Sequence, residues 1–283
     1  MKIIKKNHNP KQMKVSICMI TYGHQDYIEQ AINSVLNQKT NFDIELIVAN
    51  DNSPDNTNEI VQRIITSHPK GNKILYLNNS INLGIMPNFV QALKKCSGKY
   101  IALCEGDDYW TNENKLQQQV DFLDKNEKFA ICYHAVSIDE NNEIKQDIIT
   151  KRTNKETTIL DLAKGNFMHT CSVVYRNYLF AEFPNYFTQS PIGDYYLHML
   201  NARFGKIYFF EENMANYRVH DSSYWSSKKQ AEREIIWVTF IKNILPDFDL
   251  KIQKILLKQI YKIEKKTMSF SQKNSCFLKN IFN

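Results

Sequence analysis

Hydrophobic positions in the first half of the chain alternate between two periods. Val15 to Ile20 is a short, β-branched apolar run; Ile28, Ala31, Ile32, Val35 and Leu36 then recur at the spacing of one helix face. The alternation returns three more times. Glu45 to Ala49, Lys73 to Leu77, Tyr100 to Cys104 and Phe129 to Ala135 predict strands, and Thr57 to Ser67, Pro87 to Cys96 and Glu113 to Lys125 predict the helices between them. Such β-α repetition predicts an α/β fold with a doubly wound, mainly parallel sheet. Pro87 suits a first helical turn, where its missing N–H costs nothing, and Thr111 or Asn112 can cap the helix that follows.

From Asp139 to Thr157 the chain is polar, which predicts a surface hairpin or loop and a lobe boundary. The predicted halves are residues 14–136 and 157–226 of a domain spanning 1–226. Beyond Ser226 the pattern turns helical, with Ile235, Ile236, Val238, Thr239 and Phe240, then Ile252, Ile255, Leu256, Ile260 and Ile263 interleaved with lysines. Residues 227–283 therefore read as an amphipathic helical C-terminal extension.

Charge sharpens this division. The formal charge is +6, yet Lys251 to Asn283 carries eight lysines against one acidic residue, so the remaining chain is close to neutral. That distribution argues against a nucleic-acid partner. It leaves two readings of the tail: peripheral contact with an anionic membrane, or a solvated lysine face whose apolar stripe packs on the domain. No apolar run approaches the roughly 20 residues that cross a bilayer. The lysine-rich segment Met1 to Lys14 has no apolar core of a secretory signal, so the expected location is cytoplasmic, at the inner face of the membrane if the tail binds there. Six scattered cysteines (Cys18, Cys96, Cys104, Cys132, Cys171, Cys276) with no CxxC pair read as buried free thiols.

In an open parallel sheet, ligands bind at the carboxyl ends of the strands. The first strand there ends in Thr21-Tyr22-Gly23 and the second in Asn50-Asp51-Asn52-Ser53-Pro54-Asp55. An aromatic ring beside a carboxylate can stack on a base and accept its N–H, although the second loop alone is an ordinary Asx/Pro turn. The third leads through Asn82-Leu83-Gly84 to a helix N-terminus suited to an anion. The fourth runs into Glu105-Gly106-Asp107-Asp108-Tyr109-Trp110, three carboxylates in four positions. Such crowding calls for a compensating cation, and hard oxygen ligands favour Mg²⁺ or Mn²⁺. Asp194 reads either as a helix N-cap or as a general base. His220 gains weight from the acidic loop.

Together these segments resemble the inverting family 2 glycosyltransferases of the GT-A fold, particularly those building bacterial surface polysaccharides. The motifs are VSICMITYGHQDYIEQAINSVLNQ, ELIVANDNSPDNT, NLGIMPNF, ALCEGDDYW, MHTCSVVYR and GDYYLHMLNARFGKIYFFEENMANYRVH, from about Val15 to Ser226. Six in order are specific where one is weak. The resemblance implies a metal-dependent inverting transfer of a hexosyl or N-acetylhexosaminyl group from a nucleotide diphosphate donor, UDP favoured, to a hydroxyl of a glycan or lipid-linked acceptor. It implies a nucleotide site of Thr21, Tyr22, Asp51, Asn82, Gly84, Asn88 and Asp107, with Tyr22 on the base and Asp107 near the ribose. It further implies Mn²⁺ or Mg²⁺ on Asp108 and His220, Asp194 as catalytic base, and His169 and Thr170 on the acceptor side. Two positions depart from the pattern: Asn50 stands for a frequent aspartate, and Glu105 for the first acid of the acidic motif.

Two rivals share parts of this pattern. A non-catalytic sugar-nucleotide-binding relative would lack the base or the acidic loop, and both are present. A sugar nucleotidyltransferase would carry a glycine-rich phosphate loop, which Thr21-Tyr22-Gly23-His24 does not resemble. The chain likewise has no GxGxxG after the first strand and no P-loop.

Overall fold

The computed structural model describes residues 13–267 apart from 148, 151–153, 222, 224 and 226. The amino-terminal segment through residue 12, Cys276 and the lysines beyond Thr267 lie outside the described residues, as do the expectations that rest on them. The strand–helix succession begins β1 (Val15–Thr21), α1 (Ile28–Leu36), β2 (Ile44–Asn50), α2 (Thr57–Ser67), β3 (Ile74–Asn78), α3 (Ile85–Lys95) and β4 (Tyr100–Leu103). It continues with β5 (Tyr109–Trp110), α4 (Lys115–Lys125), β6 (Phe129–Glu140), β7 (Glu143–Gln146), β8 (Glu156–Thr157), α5 (Ile159–Leu162) and β9 (Val174–Arg176). It closes with α6 (Gly193–Ala202), β10 (Lys206–Val219), α7 (Gln230–Ile244) and α8 (Leu250–Thr267).

The strands form one mixed sheet in the order β3-β2-β1-β4-β9-β6-β10-β5, with β7 on β6 and β8 on β10. β3, β2, β1 and β4 are parallel, as are β6 and β10. Between these groups β9 runs antiparallel to β4 and β6. The fold is thus α/β with a mostly parallel sheet, as the repetition predicts, and the antiparallel insert comes from the second half of the chain.

Both faces are covered, which is why β1 and β2 are apolar at almost every position. Ile17, Met19, Leu46 and Val48 pack with α1, α2 and α4 on one side. Cys18, Ile47, Ala49 and Leu103 face α3, α6, α7 and α8 on the other. The predicted inner faces hold: Ile28, Ala31, Ile32, Val35 and Leu36 of α1 are all fully buried. The described cysteines are free and buried.

Three boundaries shift for local reasons. α3 begins at Ile85, because Gly84 at φ +90° turns the chain and its carbonyl accepts from the Asn88 N–H at 3.1 Å. α4 begins at Lys115, because the Asn112 side chain accepts from the Asn114 N–H at 2.7 Å before the helix starts. The polar stretch from Asp139 opens as the β6–β7 hairpin, turning at Asn141 and Asn142, both at positive φ.

The C-terminal helices lie on the domain. Phe240, Ile241 and Ile244 of α7 and Ile252, Leu256 and Ile260 of α8 are buried in the core shared with α3 and α6, whereas Ile235 is 68% exposed. Of the two readings of the tail, packing is what the described residues show. Among them no helix is long and apolar enough to cross a membrane.

The start of β4, the strand that delivers the acidic loop, is clamped to α4. Asp124 pairs with Lys14 at 2.6 Å and Lys99 at 2.5 Å, and accepts from the Tyr100 hydroxyl at 2.7 Å. Burial would raise its pKa, but these three donors outweigh it and hold it at about 2. A depressed carboxylate stabilises above its unfolded pKa and loses that contribution as pH falls through the folded value. Asp124→Asn should therefore cost about 1 kcal/mol at neutral pH, discounted for solvent screening, and almost nothing near pH 2. Urea titrations across pH check this; a cost that does not change with pH would contradict it.

Candidate active site

The site is assembled where β1, β2 and β4 end and β10 returns beside them. The first two loops are laced together: Ser53 Oγ accepts from the Gly23 N–H, Thr57 Oγ1 from the His24 N–H and Asp55 from the Gln25 N–H, all at 3.0 Å. Gly23 turns at φ +70°, leaving Tyr22 48% exposed at the rim. Thr21 is 2% exposed, and its Oγ1 lies 3.2 Å from His24 Nδ1. The acidic loop slides close against this pair because residue 106 is glycine. A Cβ there would come within 2.7 Å of Thr21 Oγ1.

Asp51 is nearly buried. Its carboxylate accepts from Asn79 Nδ2 at 2.9 Å and from the Leu83 and Gly84 N–H groups at 2.8 Å, bracing the loop before α3. Asn82 Oδ1 also accepts from the Gly84 N–H, at 3.0 Å. Asn88 lies beneath, its amide donating to the Ala49 carbonyl and its oxygen accepting from Asn79. The asparagine at position 50 has a physical reason: its amide donates to the Tyr76 hydroxyl and to Asn78 Oδ1, each at 3.0 Å. An ionised aspartate has no hydrogen to offer Asn78.

The carboxylates of the acidic loop part company. Asp107 Oδ2 lies 3.1 Å from His220 Nε2 and 3.9 Å from His24 Nε2. Ligand atoms of these three residues all fall within 4.8 Å of one another. Burial would raise the Asp107 pKa, but His24 and His220 beside it hold the carboxyl below its ordinary value. Burial in turn lowers His24, keeping a lone pair available. Asp108 turns the other way. At 1% exposed it accepts from the Arg218 N–H at 2.9 Å and faces Cys171, and burial with Asp107 nearby pushes its pKa well up. The structure therefore brings His220 to Asp107 and not to Asp108, so the expected division between a ribose contact at 107 and a metal ligand at 108 does not match the geometry.

Two further acids face the same space. Glu105 is pushed well up by burial, then by Asp107, Asp108 and Asp194. Asp194 is no N-cap: α6 starts at Gly193 with Ile192 in the cap position, and Asp194 is held by Asn166 Nδ2 at 3.3 Å. Gly193 allows that helix start to press on α3, since a Cβ there would sit 2.3 Å from Met86 Sδ. Tyr217 stands among all four carboxylates. Burial, then Asp108, Glu105, Asp107 and Asp194, push its hydroxyl pKa well up. On its far side His169 lies ring to ring with Tyr217 at 4.6 Å and pairs with Asp147 at 3.3 Å. Thr170 is 7% exposed and opens the short turn whose Cys171 carbonyl accepts from Trp110 Nε1.

Sequence reading assigned no role to His24, Arg218 or Tyr217. The available signal was position: His24 follows β1 directly, and β10 delivers Tyr217, Arg218 and His220 together. Arg218, 7% exposed, braces the loop from below. It donates to the Asp107 carbonyl at 2.5 Å and to Gln30 at 2.6 Å, lies 3.6 Å from Asp139, and sits between the Tyr27 and Tyr109 rings. Removing one partner of a buried charge network costs about 3–5 kcal/mol. Arg218→Ala should lose an amount in that range by urea denaturation; a loss below about 1 kcal/mol would place the support for the loop elsewhere.

The family profile described as Glycosyl transferase family 2 matches residues 16–183. The uncharacterised protein Rv1520 of Mycobacterium tuberculosis (strain ATCC 25618 / H37Rv) is 34% identical over 80% of this chain and 64% of its own length. The chain therefore spans just under two thirds of that relative. Two solved structures share the fold. TarS 1-349 of S. aureus in complex with UDP-GlcNAc has a TM-score of 0.64 at 19% identity, over 93% of this chain and 74% of its own. The mannosyltransferase PcManGT of Pyrobaculum calidifontis, in complex with GDP-Man and Mn2+, has a TM-score of 0.65 at 15% identity, over 89% and 70%.

Proposed function

The chain belongs to glycosyl transferase family 2, and from that membership we propose that it transfers a sugar, with inversion, from a nucleotide diphosphate donor to a hydroxyl of a glycan or lipid-linked glycan acceptor. The hexosyl or N-acetylhexosaminyl donor is a UDP-sugar in this reading, and the product belongs to surface polysaccharide or glycoconjugate synthesis. The observation that carries it is the pairing of an N,O,N ligand set, His24–Asp107–His220, with a separate carboxylate, Asp194, held by Asn166 and near enough to act on Tyr217 together with the acids of the loop.

The donor set suits a divalent metal, because one carboxylate and two imidazoles, one of them kept neutral by burial, are ligands that Mn²⁺ accepts. His24, Asp107 and His220 would hold it, and when bound it would stabilise charge on the departing diphosphate. Complexes of TarS with UDP-GlcNAc and of PcManGT with GDP-Man and Mn2+ support a nucleotide-sugar donor and a metal.

The chain's own residues account for the remainder. Tyr22 offers an exposed ring to the base at the rim, while Thr21, Asp51, Asn82, Gly84 and Asn88 fix the loops beneath it. Asn166 orients Asp194. As the acceptor oxygen bonds to the anomeric carbon, the bond from that carbon to the diphosphate oxygen breaks and the acceptor proton passes to the Asp194 carboxylate. One displacement inverts the centre. His169 and Thr170 border the acceptor side.

Removing a general base costs about 10²- to 10⁴-fold in turnover. Asp194→Asn should lose turnover on that scale while binding UDP with Mn²⁺ as the unaltered chain does. Asp107→Asn should instead lose the Mn²⁺-dependent part of UDP binding. Thermal shift, calorimetry and transfer assays separate the two, and the reverse pattern would overturn the roles.

The tail adds a partner. With Ile252, Leu256 and Ile260 buried, α8 turns Lys251, Lys254, Lys258, Lys262 and Lys265 outward along one face. This stripe would touch an anionic membrane by charge, without insertion. Binding to phosphatidylserine vesicles at low salt, lost on raising salt and in a variant with these lysines changed to glutamine, is the expected result. Absence of binding by the unaltered chain would remove the membrane.

A further inference from the structure

One turn after Asp194, α6 carries a second titratable group. His198 is fully buried, and neither of its ring nitrogens has a hydrogen-bond partner among the described residues. Buried polar groups are nearly always satisfied, and leaving one unmet is costly where an apolar side chain would cost nothing. The helix uses apolar side chains directly beside it, at the buried Leu197 and Met199. The imidazole therefore weakens the fold at this position, and such exceptions to good packing collect at functional sites.

Its surroundings point to one partner. Residues four apart share a helix face, and side chains lean toward the helix N-terminus, so the ring of His198 leans over the turn that carries Asp194. Burial lowers its pKa to about 4 against an upward pull from Asp194, the one charged group that acts on it among the described residues. At neutral pH the ring is uncharged, with one N–H to give and one lone pair.

Asp194 is loosely held in turn. Its Oδ2 accepts from Asn166 Nδ2 at 3.3 Å, long for a hydrogen bond, and its Oδ1 accepts from no described residue. A carboxylate that must be aimed at one hydroxyl gains from having its other oxygen fixed.

We propose that His198 is a positioning residue for Asp194: with the donor site filled, the two side chains turn toward each other and the imidazole N–H binds one carboxylate oxygen, leaving the other to face the acceptor hydroxyl. The inference rests on the reading of Asp194 as the base. An N–H donated to a carboxylate also favours its ionised form, so the same bond keeps the base ready to take a proton.

Carbon-13 NMR of the aspartate carboxyls, with Asp194 assigned through Asp194→Asn, tests this in chain saturated with UDP and Mg²⁺. In His198→Leu and His198→Phe the Asp194 pKa should rise by about one pH unit, the scale of one hydrogen bond to a charged group. UDP affinity should not change, and the melting temperature of His198→Leu should not fall, since an unmet polar group is removed. Glu105 from the acidic loop and Tyr217 from β10 also lie within reach of the Asp194 charge, and these variants leave both in place. At least one of His198→Asn and His198→Gln, which keep an N–H near the place of Nδ1 or Nε2, should return the Asp194 pKa toward that of the unaltered chain. An Asp194 pKa unmoved in both apolar variants, or a rise that neither amide variant reduces, overturns the positioning role and leaves the base reading intact. Turnover retained in Asp194→Asn, or no UDP binding by the unaltered chain, overturns the proposed reaction and the positioning role with it.

Discussion

Repulsion among carboxylates is the constraint around which this candidate site is built. Glu105, Asp107 and Asp108 follow β4 within four positions, and Asp194 approaches from α6. Each is accommodated differently. Asp107 is held ionised between two imidazoles, Asp108 is buried against Cys171 and the Arg218 N–H, and burial with its neighbours drives Glu105 toward the neutral acid. Arg218 supplies fixed positive charge from below, and the alternatives it leaves open are a proton or a metal.

The sheet makes this crowding possible by delivering the loops from rigid strands. β1, β2 and β4 run parallel and end on one side, while β10, parallel to β6 further along, brings Tyr217, Arg218 and His220 back to the same edge. β5 pairs with β10 directly after the acidic loop, so Tyr109 and Trp110 pin the loop's exit. Lys115, wholly buried 4.0 Å over the Trp110 ring, has its pKa lowered by burial to about 8. The tail belongs to this architecture as well, because α8 packs behind α5.

Periodicity made most of the first half legible. Strand and helix faces such as Ile28 to Leu36 repeat on the core side, and burial on both faces left strands apolar enough to stand out. The second half was harder to read. β9 is only three residues, and β10 is interrupted by the polar Glu211-Glu212-Asn213 at a register shift, so its 14-residue length is not visible as alternation. The site was legible as a set of loops and not as pairings. Asp107 and Asp108 are chemically equivalent in sequence; which one meets His220 depends on the loop direction that Gly106 permits. His24, Tyr217 and Arg218 depend on contacts between segments far apart in the chain, such as His24 with Asp107, Tyr217 with His169 and Arg218 with Gln30, which spacing does not encode.

In the proposed reading, His24, Asp107 and His220 together bind the metal on which nucleotide binding depends. NMR of the histidine rings during titration with Mn²⁺ in the presence of UDP tests it directly, since the paramagnetic ion broadens nearby protons. Selective loss of the His24 and His220 signals is expected, with that of His68, which caps α2 at the opposite end of the sheet, retained and the effect abolished in Asp107→Asn. Unbroadened His24 and His220 signals, or broadening that persists in Asp107→Asn, would contradict it.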